Sequence, residues 1–230
     1  MVKNAVRNLE KKLFQLFTVS VLKVNQQIPF LGEDIVVGVS GGIDSLSLYS
    51  FLKEYYAARK FKGKVYGVNV SVGKGKVKPL DFPGVINIPP APYSDGDLNC
   101  SLCARLRKMA IFKFCEERNI KYVAFAHIAD DFAESLLWNM IYHKRLESMA
   151  IVRNYFNGKF FVLRPFAFVG KKDIEKWAKL KGINDLEHKC EIENFVRDDV
   201  RKFLVSLEEK GVLAYRNLLD LIEKNGFWGE

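Results

Sequence analysis

The segment VVGVSGGIDSLSLY, Val36–Tyr49, decides the fold. A β-branched apolar run ends in Ser40-Gly41-Gly42-Ile43-Asp44-Ser45, and a helical pattern begins at Ile43. A strand that feeds a helix this abruptly exposes backbone N–H groups at the helix N-terminus, and two residues without Cβ let an anion approach them closely. The pattern is that of a phosphate site. It differs from a Walker A loop, because no lysine follows the second glycine and the loop is shorter. The plain alternative is a tight turn in which Ser40 caps the helix.

Outward from this segment, strand and helix patterns alternate. Apolar runs at Asp34–Val39, Lys64–Val70, Val85–Pro89, Tyr122–His127 and Phe160–Pro165 read as buried strands. Helical periodicity covers Val2–Val24, Ile43–Lys60, Ser101–Arg118, Asp130–His143 and Lys172–Lys181, then Val196–Lys210 and Leu213–Lys224. Such alternation predicts an α/β fold, a parallel sheet with helices on both faces and a small C-terminal helical unit. Ligands of such sheets bind at the strand C-termini, where the Ser40–Ser45 turn lies. Ser71–Gly84, rich in Gly, Pro and Lys, is expected to be a mobile surface loop.

Of the 230 residues 49% are hydrophobic and 27% charged, which fits a folded globular chain. No apolar run reaches the roughly 18 residues of a membrane span, and the amphipathic start carries no cleavage site; no membrane association and a cytoplasmic location are expected. Thirty-six Lys and Arg against 27 Asp and Glu leave a net charge of +9, which suits a polyanionic partner as well as a solvated surface. Lys74, Lys76 and Lys78, and Lys3, Arg7 and Lys11, are candidates to track a nucleic-acid backbone.

Cys100 and Cys103 have the spacing of metal or redox work, and they open a predicted helix whose dipole, with nearby arginines, favours thiolates. Cys115 sits mid-helix among apolar neighbours and reads as a core thiol. Asp130-Asp131 follows a strand end, where a Mg²⁺ or ribose contact and a simple helix opening are both consistent. Arg164 ends a strand near the phosphate turn and is either a nucleotide contact or a buried ion-pair partner.

The Ser-Gly-Gly-x-Asp-Ser turn resembles the PP-loop of N-type ATP pyrophosphatases. The second cluster sharpens the resemblance. Cys100-Ser-Leu-Cys103 followed by Arg105, Arg107 and Lys108, then FAHIADDFAESLLWNM at Phe125–Met140 and LRPFAFVGKKDI at Leu163–Ile174, is similar to the TtcA/TtuA family of tRNA 2-thiolation enzymes. The similarity runs from about Val2 to Glu209, with Ala126 where a glycine is usual and a shorter stretch at Lys64–Leu98, a departure that bears on RNA recognition.

The resemblance implies a Rossmann-like PP-loop ATPase fold of the HUP type over residues 1–185, with 186–230 as a helical extension carrying Cys190. It also implies an ATP-dependent tRNA sulfurtransferase that adenylates a pyrimidine C2 oxygen and replaces it with sulfur. ATP and Mg²⁺ would lie against Val39, Ser40, Gly41, Gly42, Asp44, Ser45, Asn69, Val70, His127, Asp130, Asp131 and Arg164. Asp44 and Arg107 would act on the phosphates. Cys100, Cys103 and Cys190 would hold a 4Fe-4S cluster; the alternatives are zinc with His127 or His188, or unliganded redox thiols. Partners would be tRNA and a sulfur donor, sulfide, persulfide or a carrier protein, and a homodimer is compatible. The competing readings are a lysidine-synthase-like ligase of the same superfamily and a non-catalytic metal-bearing RNA-binding protein.

Overall fold

In the computed structural model, which describes residues 2–72, 79–94, 99–186 and 195–229, alternate side chains of β1 (Ile35–Gly38) face opposite layers. Ile35 and Val37, with Val39 beyond the strand, pack against α1 (Val2–Gln27), α2 (Ile43–Arg59) and α5 (Lys171–Lys181). Val36 packs on the other side, beneath α3 (Cys100–Glu117). The two-residue period of a strand places both layers. The aromatic side chains Phe17, Phe51, Phe166 and Trp177 fill the first layer, all fully buried.

One six-stranded sheet runs β3-β2-β1-β4-β6-β5, with β2 (Val65–Val70), β3 (Val85–Ile88), β4 (Tyr122–Ala124), β5 (Val152–Tyr155) and β6 (Phe160–Leu163). β1 pairs in parallel with β2 on one side and β4 on the other. The chain therefore reverses its direction of travel across the sheet at β1 and β4. A crevice opens at such a switch point, outside the strand C-termini.

The edge strand β5 departs from the expected all-parallel sheet, pairing antiparallel with β6 at Val152↔Leu163 and Tyr155↔Phe160. Four residues, Phe156–Lys159, connect the two strands; Phe156, Asn157 and Gly158 take the left-handed φ values of 54°, 54° and 83°, and Lys159 N–H donates to the Phe156 carbonyl at 3.2 Å. The Asn157-Gly158 dipeptide was the sequence signal for the hairpin.

α4 (Ala129–His143) follows β4 and buries Phe132 and Leu136 in the first layer. α6 (Phe195–Glu209) and α7 (Ala214–Asn225) pack on it through Val200, Leu204 and Ala214. Inside this contact the buried Glu134 carboxylate accepts two hydrogen bonds from Arg201, at 2.9 and 3.0 Å, and one from the Tyr215 hydroxyl at 3.3 Å. A carboxylate that deep is tolerable only with such partners. No helix of the described residues is long and apolar enough to cross a membrane.

Candidate active site

The Ser40–Ser45 turn is held by its own hydroxyls. Ser45 Oγ accepts from Ser40 N–H at 3.1 Å and donates to the Gly42 carbonyl at 2.9 Å, while Ser40 Oγ accepts from Gly42 N–H at 3.3 Å. Gly41 has φ of 106°, a conformation that side chains other than hydrogen rarely adopt. Gly42, not Ser40, occupies the N-cap of α2, and no side chain caps it. The plain capping role considered for Ser40 is therefore not what the hydroxyl does. Asn69 is buried behind the loop, its amide donating to the Val39 carbonyl at 2.6 Å and its oxygen accepting from Ser71, so it braces the strand end.

Two regions flank the loop. On the α3 side lies a cavity of about 390 Å³, lined by Val39, Ser40 and Val70 at the strand ends, Arg107 and Lys108 of α3, Phe125, His127, Tyr155 and Arg164. Its charged lining is wholly basic, which suits an anionic occupant. Gly38 sits at its floor, where a Cβ would meet the Phe125 ring at 2.5 Å. Arg164 is fixed by donating through Nη1 to the Ala150 carbonyl and through Nε to His127 Nδ1 at 3.3 Å. His127 thus carries its proton on Nε2 when neutral. Burial draws the Arg164 pKa down. Arg164 points into the cavity, and no ion pair was found for it among the described residues.

On the other side of the loop, the N-termini of α2, α4 and α5 meet. Asp44 in the first turn of α2 accepts from Lys171 Nζ at 2.7 and 2.9 Å, and Lys171 N–H donates to Asp130 Oδ2 at 2.9 Å. Asp131 caps its own helix, accepting from Ile128 N–H at 2.8 Å. Burial raises the pKa of Asp130, and pushes that of Asp131 up to about 6. A raised carboxylate pKa means the folded chain holds the proton more tightly than the unfolded one. The associated stability is present below the unfolded pKa and is lost as pH rises through about 6. Asp131→Asn keeps the cap without the buried charge, so it should stabilise the protein by up to roughly 2 kcal/mol above pH 7 and by little near pH 4. Denaturant unfolding at both pH values checks this; an equal effect at each would contradict it.

α3 carries the thiols on the cavity side of the loop. The Asn99 side chain caps the helix by accepting from Leu102 N–H at 2.9 Å. Cys100, half-buried, and Cys103, buried, sit in its first turn three residues apart. Cys100, Cys103, Ala104 and Arg107 stand at positions i, i+3, i+4 and i+7 of the helix and so share a face, of which Ala104 and Arg107 line the cavity. Cys115 is fully buried, and burial pushes its thiol up to about 12. Among the described residues no group of three His, Cys, Asp or Glu side chains is placed to hold a metal. Cys190, His188, Lys74, Lys76 and Lys78 lie outside the described residues. Leu186, four residues before Cys190, donates its N–H to the Gly41 carbonyl at 2.9 Å. Arg7 and Lys11 are exposed on α1, and the Lys3 side chain lies outside the described set.

Sequence reasoning had not singled out Tyr155 or Lys171. Tyr155 arrives on the unforeseen β5 and accepts from Lys108 Nζ at 3.1 Å. Lys171 lies within a quoted motif, but nothing local relates it to Asp44.

Residues 98–208 match the PP-loop domain family, a stretch that begins after the Ser40–Ser45 turn. The chain is 27% identical over 198 residues to the tRNA-cytidine(32) 2-sulfurtransferase of Herminiimonas arsenicoxydans, covering 78% of this chain and 62% of that protein. It is 30% identical over 170 residues to the enzyme of the same name from Psychromonas ingrahamii, covering 65% of this chain and 53% of that one. The chain thus spans little more than half the length of these curated relatives. The U34-tRNA thiolase NcsA from Methanococcus maripaludis, solved with its 4Fe-4S cluster, superposes with a TM-score of 0.69 over 94% of this chain and 79% of its own, at 15% identity. That likeness is one of fold.

Proposed function

We propose that this chain, whose residues 98–208 match a PP-loop domain, is an ATP-dependent tRNA sulfurtransferase acting on a pyrimidine C2 oxygen. The observation that carries the reading is α3. It sets a pair of thiols and Arg107 on one face, beside a basic cavity that opens onto the phosphate loop. A ligase that transfers no sulfur has no use for the thiols, and a non-catalytic RNA binder has none for the loop.

The residues divide the work. Loop N–H groups and the Ser40 and Ser45 hydroxyls would receive the terminal phosphates, and Asp44 would hold the Mg²⁺ that accompanies them, which would neutralise phosphate charge. Arg107 and Arg164 neutralise charge where the α-phosphate meets the cavity. The base oxygen attacks the α-phosphorus and pyrophosphate leaves; a sulfur nucleophile then attacks C2 and AMP departs with the former base oxygen. Thiols three residues apart on one helix turn suit a metal site, and Leu186, four residues before Cys190, is tied to the loop. A 4Fe-4S cluster held by Cys100, Cys103 and Cys190 would supply an open iron that presents sulfide. A base reached this way must lie outside a paired stack, so the substrate is a loop nucleotide or one that is flipped out.

The test is tRNA binding with pyrophosphate release. Affinity should fall on the order of 10–100-fold between about 50 and 200 mM salt, as three or four neutralised phosphates require, and tRNA should stimulate pyrophosphate release. Salt-independent binding, or release indifferent to tRNA, would point to a small-molecule substrate.

A further inference from the structure

The phosphate loop holds no lysine, and the fold delivers one to it from 127 residues away. Lys171 Nζ lies 2.7 and 2.9 Å from the two Asp44 carboxylate oxygens. Its backbone is anchored independently, by N–H donation to Asp130 at 2.9 Å. Three features make this placement odd for a purely structural pair. Lys171 is the first residue of α5, where the positive end of the helix dipole opposes a cation. The N-termini of α2 and α4 point to the same place, adding to the opposition. The side chains are 39% and 32% exposed, so the pair is screened by water and contributes little to stability. A polyphosphate at this point would satisfy the lysine and all three helix ends together.

We propose that Lys171 is the phosphate-binding cation of this loop, held by Asp44 before nucleotide arrives and transferred to the β- and γ-phosphates of ATP when it does. The exchange frees the Asp44 carboxylate for the divalent cation that accompanies a triphosphate. The inference rests on the ATP-dependent reading above and adds to it a residue outside the loop motif. It also predicts which part of the nucleotide feels the lysine. Pyrophosphate carries the contact, and AMP does not.

The test is calorimetric titration of Mg-ATP, Mg-pyrophosphate and AMP into the intact protein and its Lys171→Met, Lys171→Arg and Lys172→Met variants. Lys172 is the matched control, 80% exposed and paired with Glu208. Lys171→Met should bind ATP and pyrophosphate roughly 10- to 100-fold more weakly, the worth of one charge-assisted contact, with AMP affinity unchanged. Lys171→Arg should recover most of the loss, and Lys172→Met should match the parent. Parental ATP and pyrophosphate affinity in Lys171→Met, or an equal loss for AMP, would overturn the inference and leave the functional reading standing. Failure of the unaltered protein to bind Mg-ATP would overturn the functional reading, and this inference with it.

Discussion

Asp44→Ala is expected to lower tRNA-dependent pyrophosphate release by at least roughly 100-fold while leaving the fold intact. The first half follows from position. Asp44 lies in the loop's first helical turn and carries the carboxylate that Lys171 grips. Without it the divalent cation that accompanies the nucleotide would lose its carboxylate, and the charge that cation neutralises on leaving pyrophosphate would go uncompensated. The second half follows from exposure. A solvent-screened ion pair contributes about 0.2–1 kcal/mol, so the variant should unfold within a few degrees of the parent. Circular dichroism melts beside a pyrophosphate assay separate the two effects. An Asp44→Ala protein that turns over ATP at the parental rate would mean that the loop is not the phosphate site.

The cysteines should separate the two half-reactions. Ala at Cys100, Cys103 or Cys190 should abolish sulfur transfer to tRNA and remove the oxygen-sensitive iron-sulfur absorbance of anaerobically reconstituted protein. Pyrophosphate release should continue, since adenylation needs no thiol. Cys115→Ala should keep both activities and cost roughly 1–2 kcal/mol of stability for the small cavity it leaves. The contrast is geometric. Cys115 lies twelve residues along α3 from Cys103, about 18 Å at 1.5 Å per residue, and faces the apolar layer under the helix. Stoichiometric zinc without iron, or a cluster that persists in the Cys190 variant, would contradict the assignment.

The strand-helix alternation and the helix limits were legible because periodicity records which side chains are buried. The predicted Ile43–Lys60 helix is observed at Ile43–Arg59, and Ser101–Arg118 at Cys100–Glu117. β5 was not read, because Val152-Arg-Asn-Tyr155 is short and half polar, as an edge strand exposed on one side is. Its turn at Asn157-Gly158 was the usable signal. In the site, the phosphate loop and the thiol pair are local patterns and show in sequence. The Lys171 contact depends on where α5 docks, and the Arg164 link to His127 on the pairing of β6 with β4. No local spacing encodes either. Asn69, expected against the nucleotide, has a second task that no local pattern shows, its amide fastening the strand end beneath the loop.

On this reading ATP is spent on a base oxygen so that sulfur can take its place. The most direct measurement is nucleoside mass spectrometry of tRNA incubated anaerobically with the reconstituted protein, Mg-ATP and sulfide, beside quantification of AMP and pyrophosphate. One pyrimidine should gain sulfur in place of oxygen, with one AMP and one pyrophosphate released per thiolated base. AMP and pyrophosphate formed while every pyrimidine keeps its oxygen would contradict it.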